Sequence, residues 1–202
     1  MLFVYYWLEQ LFYTNFYEIN LNVLLNPELI KLFFENETTK IPLQFHCKEA
    51  ILRASNYNCK SVLDFVQNYL VTAYYVKFNF WMVGNTEQFN DNFLNLFNGG
   101  TKEFHFQCIK RPTLYDMIIN YIETTINYST MIRRVVFDHI NWPRNDLTIS
   151  ERAEKIKRYR EVDYISGNYQ LANRYNPNVR FWISHRERHE TILYIDIRRI
   201  YF

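Results

Sequence analysis

Strand-like and helix-like patterns alternate along the first two thirds of the chain. Apolar and polar residues alternate at 17–23, 41–47, 76–80, 103–108 and 132–138, as in strands that bury one face. Between these segments, apolar residues recur every three or four positions, which is typical of helices that pack through one side. Because each helix has to return the chain to the same edge of the sheet, the pattern predicts repeated βα units with parallel strands.

Two of the predicted helices begin with residues that favour a helix start. Asn26 is placed to cap the first, with Pro27 in its opening turn and the acidic Glu28 behind it. Ser61 is placed to cap the second. These signals separate the strands from the helices that follow them.

The predicted fold class is α/β, as an irregular leucine-rich-repeat-like βα solenoid with parallel strands followed by a C-terminal antiparallel β cap. The repeat-like part spans residues 1–142, with strand centres about 30 residues apart. The cap spans residues 143–202 and is expected to pack with the first part as one domain. Repeats of this kind leave a broad strand face available for binding.

The cap opens with a charged segment and continues with closely spaced strands. Residues 150–160 alternate acids and bases, and we interpret them as a solvent-facing helix with Ser150 as its cap. The remaining predictions are strands at 164–175, 179–184 and 191–202, with turns at 176–178 and 185–190. The second turn, which contains His185 and His189, is expected to be solvated.

Composition supports one globular domain. The chain has 202 residues, of which 49% are hydrophobic and 22% charged, enough apolar content for a substantial core. The longest charge-free apolar stretch, Met1 to Leu8, is far shorter than the roughly 18 to 20 residues of a membrane helix. Three cysteines suit buried thiols better than a disulfide framework. We therefore expect an intracellular protein, in the cytoplasm or nucleus, with no membrane segment.

Charge is concentrated in the last third of the chain. Residues 1–130 hold 9 Lys+Arg and 12 Asp+Glu, whereas residues 131–202 hold 14 and 9, and 12 of those 14 are Arg. Arginine binds carboxylates, phosphates and aromatic faces, so this segment suits an acidic protein surface or a nucleic acid. The net charge is only +2, which favours a protein partner, because nucleic-acid-binding domains are usually more basic.

The candidate binding residues are polar side chains on the strand positions opposite the predicted core, together with an Arg/Trp cluster near the C-terminus. They are Asn20, Gln44, His46, Lys77, Asn79, His105, Gln107, Arg180, Trp182 and Arg186. An exposed Trp beside Arg is typical of an interface anchor, although packing against a neighbouring strand also explains it. With Arg188, the C-terminal members instead suit an RNA-binding surface.

We expect no enzyme activity, metal or cofactor. The sequence has no phosphate-binding glycine loop, nucleophile elbow or zinc-protease motif. His105 and Cys108 have a spacing seen in metal sites, but on one strand they would point to opposite faces. The candidate residues therefore indicate a docking surface.

Several segments resemble the nematode F-box domain-containing proteins. They are 25–36 (LNPELIKLFFEN), 40–45 (KIPLQF), 113–116 (TLYD), 147–154 (LTISERAE) and 169–181 (YQLANRYNPNVRF). The resemblance implies an adaptor whose repeat-like region holds a target protein, a ubiquitination substrate, for a cullin-based ligase. Family members carry an F-box ahead of that region, whereas this sequence starts directly with MLFVYYW, so we expect target binding without docking to the ligase core.

Overall fold

The computed structural model describes residues 2–21, 27–34, 43–99 and 101–201. The first part alternates helices with strands: α1 (Leu2–Phe12), β1 (Asn15–Leu21), α2 (Pro27–Phe34), β2 (Phe45–Ser55), α3 (Cys59–Tyr69), β3 (Leu70–Met82), α4 (Asn90–Phe97), β4 (Glu103–Gln107), α5 (Thr113–Thr124) and β5 (Arg134–Pro143). Four strands follow: β6 (Glu154–Arg160), β7 (Ile165–Ala172), β8 (Arg180–Arg188) and β9 (Thr191–Ile200). Single 3₁₀ turns lie at Glu87–Phe89 and Arg144–Asp146.

Within the described residues, the nine strands form one sheet in the order β1-β2-β3-β4-β5-β9-β8-β7-β6. Strands β1 to β5 are neighbours in chain order and run parallel. Strand β9 then pairs with β5 in the antiparallel direction, and β8, β7 and β6 continue that way. The predicted α/β class with parallel strands followed by antiparallel ones is confirmed at this level.

The parallel strands bury one face under the helices. Because successive strands are adjacent and right-handed crossovers are the rule, every connecting helix lies on the same side of the sheet. Phe106 of β4 is fully buried at the centre of this core. Its ring lies 5.6 Å from Phe78, 5.7 Å from Phe93 and 5.6 Å from Phe137, measured between ring centroids. Rings from the two neighbouring strands and a helix therefore pack around Phe106.

The same side of the antiparallel strands is covered by a chain segment rather than by a helix of its own. Leu147 and Ala153, from the segment that joins β5 to β6, pack against the core. The buried side chain of Asn173 donates to the carbonyl oxygens of Ile122 and Thr125, at 2.7 and 2.9 Å. These contacts tie the end of β7 to the end of α5.

Two predictions in the C-terminal region are wrong. Residues 154–160 form the edge strand β6 instead of a helix, and every residue in it is exposed. Such a segment has no apolar periodicity, so pairing with β7 decides its conformation. His185 lies inside β8 and is only 9% exposed, and the turn is made by His189 and Glu190, which both have positive φ. Two positive φ values suit a tight hairpin.

Element boundaries differ elsewhere. The first helix, α1, was not predicted, because its apolar residues show no clear spacing. Strand β3 starts at Leu70, well before the predicted 76, and α3 starts after Asn58 instead of at Ser61. Helix α2 does begin at Pro27. Asn26, its predicted cap, lies outside the described residues.

Candidate functional site

The sheet side opposite the helices is the open face, defined by the strand residues that alternate with the core. Its central row has one residue from each strand, paired in register: Asn20, Ile51, Lys77, His105, Val136, Asp196, Ser184, Asn168 and Lys157. At about 4.8 Å per strand, the row is about 38 Å wide. The helices pack their buried residues into the core on the other side.

Most of the predicted binding residues meet on this open face. The central row contains Asn20, Lys77 and His105. The next row starts with Asn79 on β3, which pairs with Gln107. It continues through Asp138 and Tyr194 to Arg186 on β8. The remaining members on this side are His46, at the start of β2, and Arg180 and Trp182 on β8.

Gln44 lies apart from the other candidates. It precedes β2 and lines a depression with residues of α3 and α4, such as Gln67 and Asn95. Its position at the amino ends of the strands separates it from the open face. The strand predicted at 41–47 begins only at Phe45 in the structure, so the alternation was extended too far at this end.

A buried carboxylate is bound by two arginines at the middle of the open face. Asp196 is 2% exposed, and Arg134 donates to both of its oxygens at 3.1 Å. Arg198, two residues further along the same side of β9, donates to the same carboxylate. Burial raises the pKa of Asp196, but the hydrogen bonds from Arg134 and Arg198 lower it more, so the pKa ends below its usual value.

His105 is held uncharged beside this ion pair. Its ring stacks on Tyr75, with centroids 4.5 Å apart and planes 9° from parallel. Burial, followed by the nearby charges of Arg134 and Lys77, lowers the pKa of His105 to about 4. At neutral pH the ring is therefore an uncharged, stacked part of the surface, and its low basicity makes it a weak general base.

A hollow of about 550 Å³ opens at the carboxyl ends of the parallel strands. Its lining includes Trp81, Asp138, His139, Tyr164, Arg186 and Tyr194. Trp81 is 74% exposed, and the guanidinium of Arg186 lies over the Tyr194 ring at 5.7 Å from its centroid. The carboxyl ends of parallel strands are where open α/β sheets usually bind ligands.

Two non-glycine residues in the left-handed region lie at the ends of β4 and β5, and one of them, His139, lines the hollow. Cys108 has φ 62° and His139 has φ 53°, and the Cys108 amide donates to the carbonyl oxygen of Asp138 at 3.1 Å. Asp138 accepts hydrogen bonds from the His139 amide and from Gln107, at 2.9 and 3.2 Å. Such backbone conformations are costly and are concentrated at functional sites.

The chemistry at these strand ends suits binding better than nucleophilic attack. Burial, followed by the charge of Asp138, raises the pKa of the Cys108 thiol, whereas a reactive cysteine needs a lowered one. Across the described ranges, no three His, Cys, Asp or Glu side chains form a group that could hold a metal ion. None of the described helices is long and apolar enough to cross a membrane.

Several residues of the site were missed by sequence reasoning. Trp81 and Tyr75 lie in strand extensions beyond the predicted boundaries of β3. Arg134, Tyr194 and Asp196 occupy outward positions in strands that were predicted, so listing every outward position of those strands would have found them.

Only one comparison with known proteins gives a match. Residues 1–81 match a family model described as a domain of unknown function, DUF8381. The match spans α1 to Trp81 and ends before the antiparallel strands. No curated protein and no solved structure matches the chain.

Proposed function

We propose that the protein is a non-catalytic scaffold that binds another protein through the open face. What supports the proposal is that this face presents aromatic and arginine side chains, including Tyr194, Arg186 and Trp182, on a rigid sheet. Aromatic residues and arginine dominate the binding energy of protein interfaces. A sheet fixed from behind by a packed core also loses little conformational entropy on binding.

The more specific part of the proposal is a substrate-recognition region like that of F-box ubiquitin-ligase adaptors. In that interpretation, the parallel strands wind as a leucine-rich-repeat-like solenoid, and the open face holds the protein to be ubiquitinated inside the cell. Its support is the resemblance of segments such as 25–36 and 169–181, together with the consecutive order of β1 to β5. Docking to the ligase core is not part of the proposal.

Affinity capture with matched variants tests the function. The open-face variant combines Lys77→Glu with Trp182→Ser, and the control is Leu32→Ser, which removes an exposed apolar side chain on α2. We expect wild type and control to retain the same protein from extract and the open-face variant to lose it. Retention by all three proteins would refute the proposal. Ligase subunits among the retained proteins would add support for the adaptor role.

RNA binding is the second candidate function, because Arg180, Trp182 and Arg186 share the open side of β8. Charge and stacking together suit single-stranded RNA. Arg180 is already paired with Glu154 at 2.9 Å, which reduces its contribution. Retention of labelled oligouridylate that falls steeply with added salt would favour this function, whereas absence of retention at low salt would exclude it.

A further inference from the structure

The proposed function does not specify the chemistry of the partner. Charged and aromatic side chains are unevenly distributed over the open face, which allows that chemistry to be inferred. Resting on that function, we infer that the partner presents an acidic segment containing an aromatic residue to the antiparallel half of the open face, from β5 to β6. The acidic residues meet the arginines of this half. The aromatic residue enters the hollow beside Trp81.

The charge of this half is the first argument. Its outward cations are Arg134, Arg180, Arg186, Arg188, Arg198 and Lys157, and its outward carboxylates are Asp138, Glu154 and Asp196. Six cations against three carboxylates at these strand positions leave an excess of three positive charges.

The pairing within this half is the second argument, because each carboxylate already has a partner. Asp196 is bound by two arginines and Glu154 by Arg180, and Asp138 accepts hydrogen bonds from Gln107 and the His139 amide. The acids of this face are thus satisfied internally while positive charge remains. Charge complementarity then selects a partner with carboxylates.

The position of Arg186 makes it the cation best placed for such a partner. Its side chain is exposed and lies over the Tyr194 ring, and no carboxylate of the described chain is within ion-pair distance. Stacking on Tyr194 limits its motion, so less rotamer entropy is lost when a carboxylate binds. Arg186 also lines the hollow, which places the acidic and aromatic contacts side by side.

The aromatic contact follows from the walls of the hollow. Trp81, Tyr164 and Tyr194 supply aromatic surface, and Leu193 and Ile140 add apolar surface. An aromatic side chain from a partner would bury this surface in an edge or stacked geometry. A volume of about 550 Å³ is ample for one large side chain.

A protein segment suits this half better than a nucleic acid does. Nucleic-acid surfaces neutralise a run of phosphates with closely spaced cations. Here Asp196 lies between Arg134 and Arg198, and Glu154 lies beside Arg180, so carboxylates interrupt the cations. Spaced acidic side chains of a peptide can reach the cations and avoid the carboxylates.

Fluorescence polarisation with three labelled probes tests the inference on the full chain. The probes are a peptide of alternating glutamate and tyrosine, a matched peptide of alternating lysine and tyrosine, and oligouridylate. We expect the glutamate–tyrosine peptide to bind most tightly, with weaker binding as NaCl rises from about 50 to about 300 mM. Arg186→Gln should weaken it about fivefold, and Trp81→Ser about tenfold.

Two control variants remove similar groups away from this half. Arg152→Gln removes an exposed arginine outside the sheet, and Tyr13→Ser removes an exposed ring after α1. Both should bind the peptide as wild type does, and thermal melting should confirm that all variants fold. The inference would be overturned if Arg152→Gln weakened peptide binding as much as Arg186→Gln, or Tyr13→Ser as much as Trp81→Ser.

The remaining outcomes separate this inference from the proposed function. Preference for the lysine peptide or for oligouridylate overturns the inference, as does a failure of the acidic peptide to bind. If the captured protein partner is lost with Lys77→Gln but kept with Arg186→Gln, the scaffold function stands while the assignment to the antiparallel half fails.

Discussion

The ion pair around Asp196 makes an asymmetric prediction about stability. The carboxylate is 2% exposed, whereas the side chains of Arg134 and Arg198 remain 33% and 54% exposed. Removing the acid leaves two guanidinium groups that water can still reach. Removing both arginines leaves a buried carboxylate without a counter-charge. The second change should therefore cost much more than the first, although the same interactions are lost.

The magnitudes follow from burial. Asp196→Asn loses charged hydrogen bonds but also removes the cost of burying a charge, so we expect a loss of about 1 to 2 kcal/mol in the free energy of unfolding. Arg134→Gln with Arg198→Gln should cost about 3 to 5 kcal/mol at pH 7, the usual result of leaving an uncompensated buried charge. Adding Asp196→Asn to that double variant should restore part of the loss.

Urea unfolding at pH 7, followed by circular dichroism, measures these differences. The pH dependence adds an independent check. In the wild type, the lowered pKa of Asp196 gives stability that is present above the ordinary Asp pKa and is lost as pH falls through the folded value. Without the arginines burial dominates and the sign reverses, so acid should stabilise the double variant relative to wild type. An Asp196→Asn variant as unstable as the arginine double variant would refute the reasoning.

Three further predictions concern single residues. Burial lowers the pKa of His105 from 6.5 to about 4, so the free energy of unfolding is unaffected by this group above pH 6.5 and falls as pH drops towards 4. His105→Gln should reduce that fall by about 1 kcal/mol, allowing for solvent screening. In Gly167→Ala the new Cβ would lie 2.3 Å from Cε1 of His185, so we expect a loss of about 1 to 3 kcal/mol that His185→Ala partly reverses. Phe106→Ala should cost about 3 to 5 kcal/mol by calorimetry, and a loss below 1 kcal/mol would contradict its central place in the core.

The parallel strands were predictable because this part of the sequence carries both the two-residue alternation of strands and the three- or four-residue spacing of helices. Phe104 and Phe106 alternate with Glu103, His105 and Gln107 in β4, and all of them occupy the predicted faces. The same alternation correctly placed Trp182 opposite Phe181 and Ile183 on β8. A residue's face follows from its position in a strand, so these parts of the open face could be read from sequence.

The hollow could not be predicted in this way. Its lining comes from β3, β5, β8 and β9 and from the turn before β7, which the sheet order brings together. The left-handed conformations of Cys108 and His139 occur where a hydrogen bond joins the ends of β4 and β5. Neither feature has a local sequence signal.

His185 and Glu187 show a related limit. Both are buried at inward positions of β8, where Glu187 pairs with Arg144 and Arg158. Because both residues are polar, the hydrophobicity pattern predicts that they face solvent, so this part of the strand was predicted as a turn. The burial of Glu187 depends on Arg144 and Arg158, which are distant in sequence and compensate its charge.

The sequence alone determined the α/β class, the parallel strands with their helices on one side, and the side of the sheet on which most candidate residues lie. Local periodicity carries that information, because burying one face of each element fixes which residues turn inward. Tertiary structure alone decided that β9 joins β5, that residues 154–160 form an edge strand, and that Trp81, Arg186 and Tyr194 surround one hollow. Those outcomes depend on contacts between residues far apart in the chain, which no short pattern encodes.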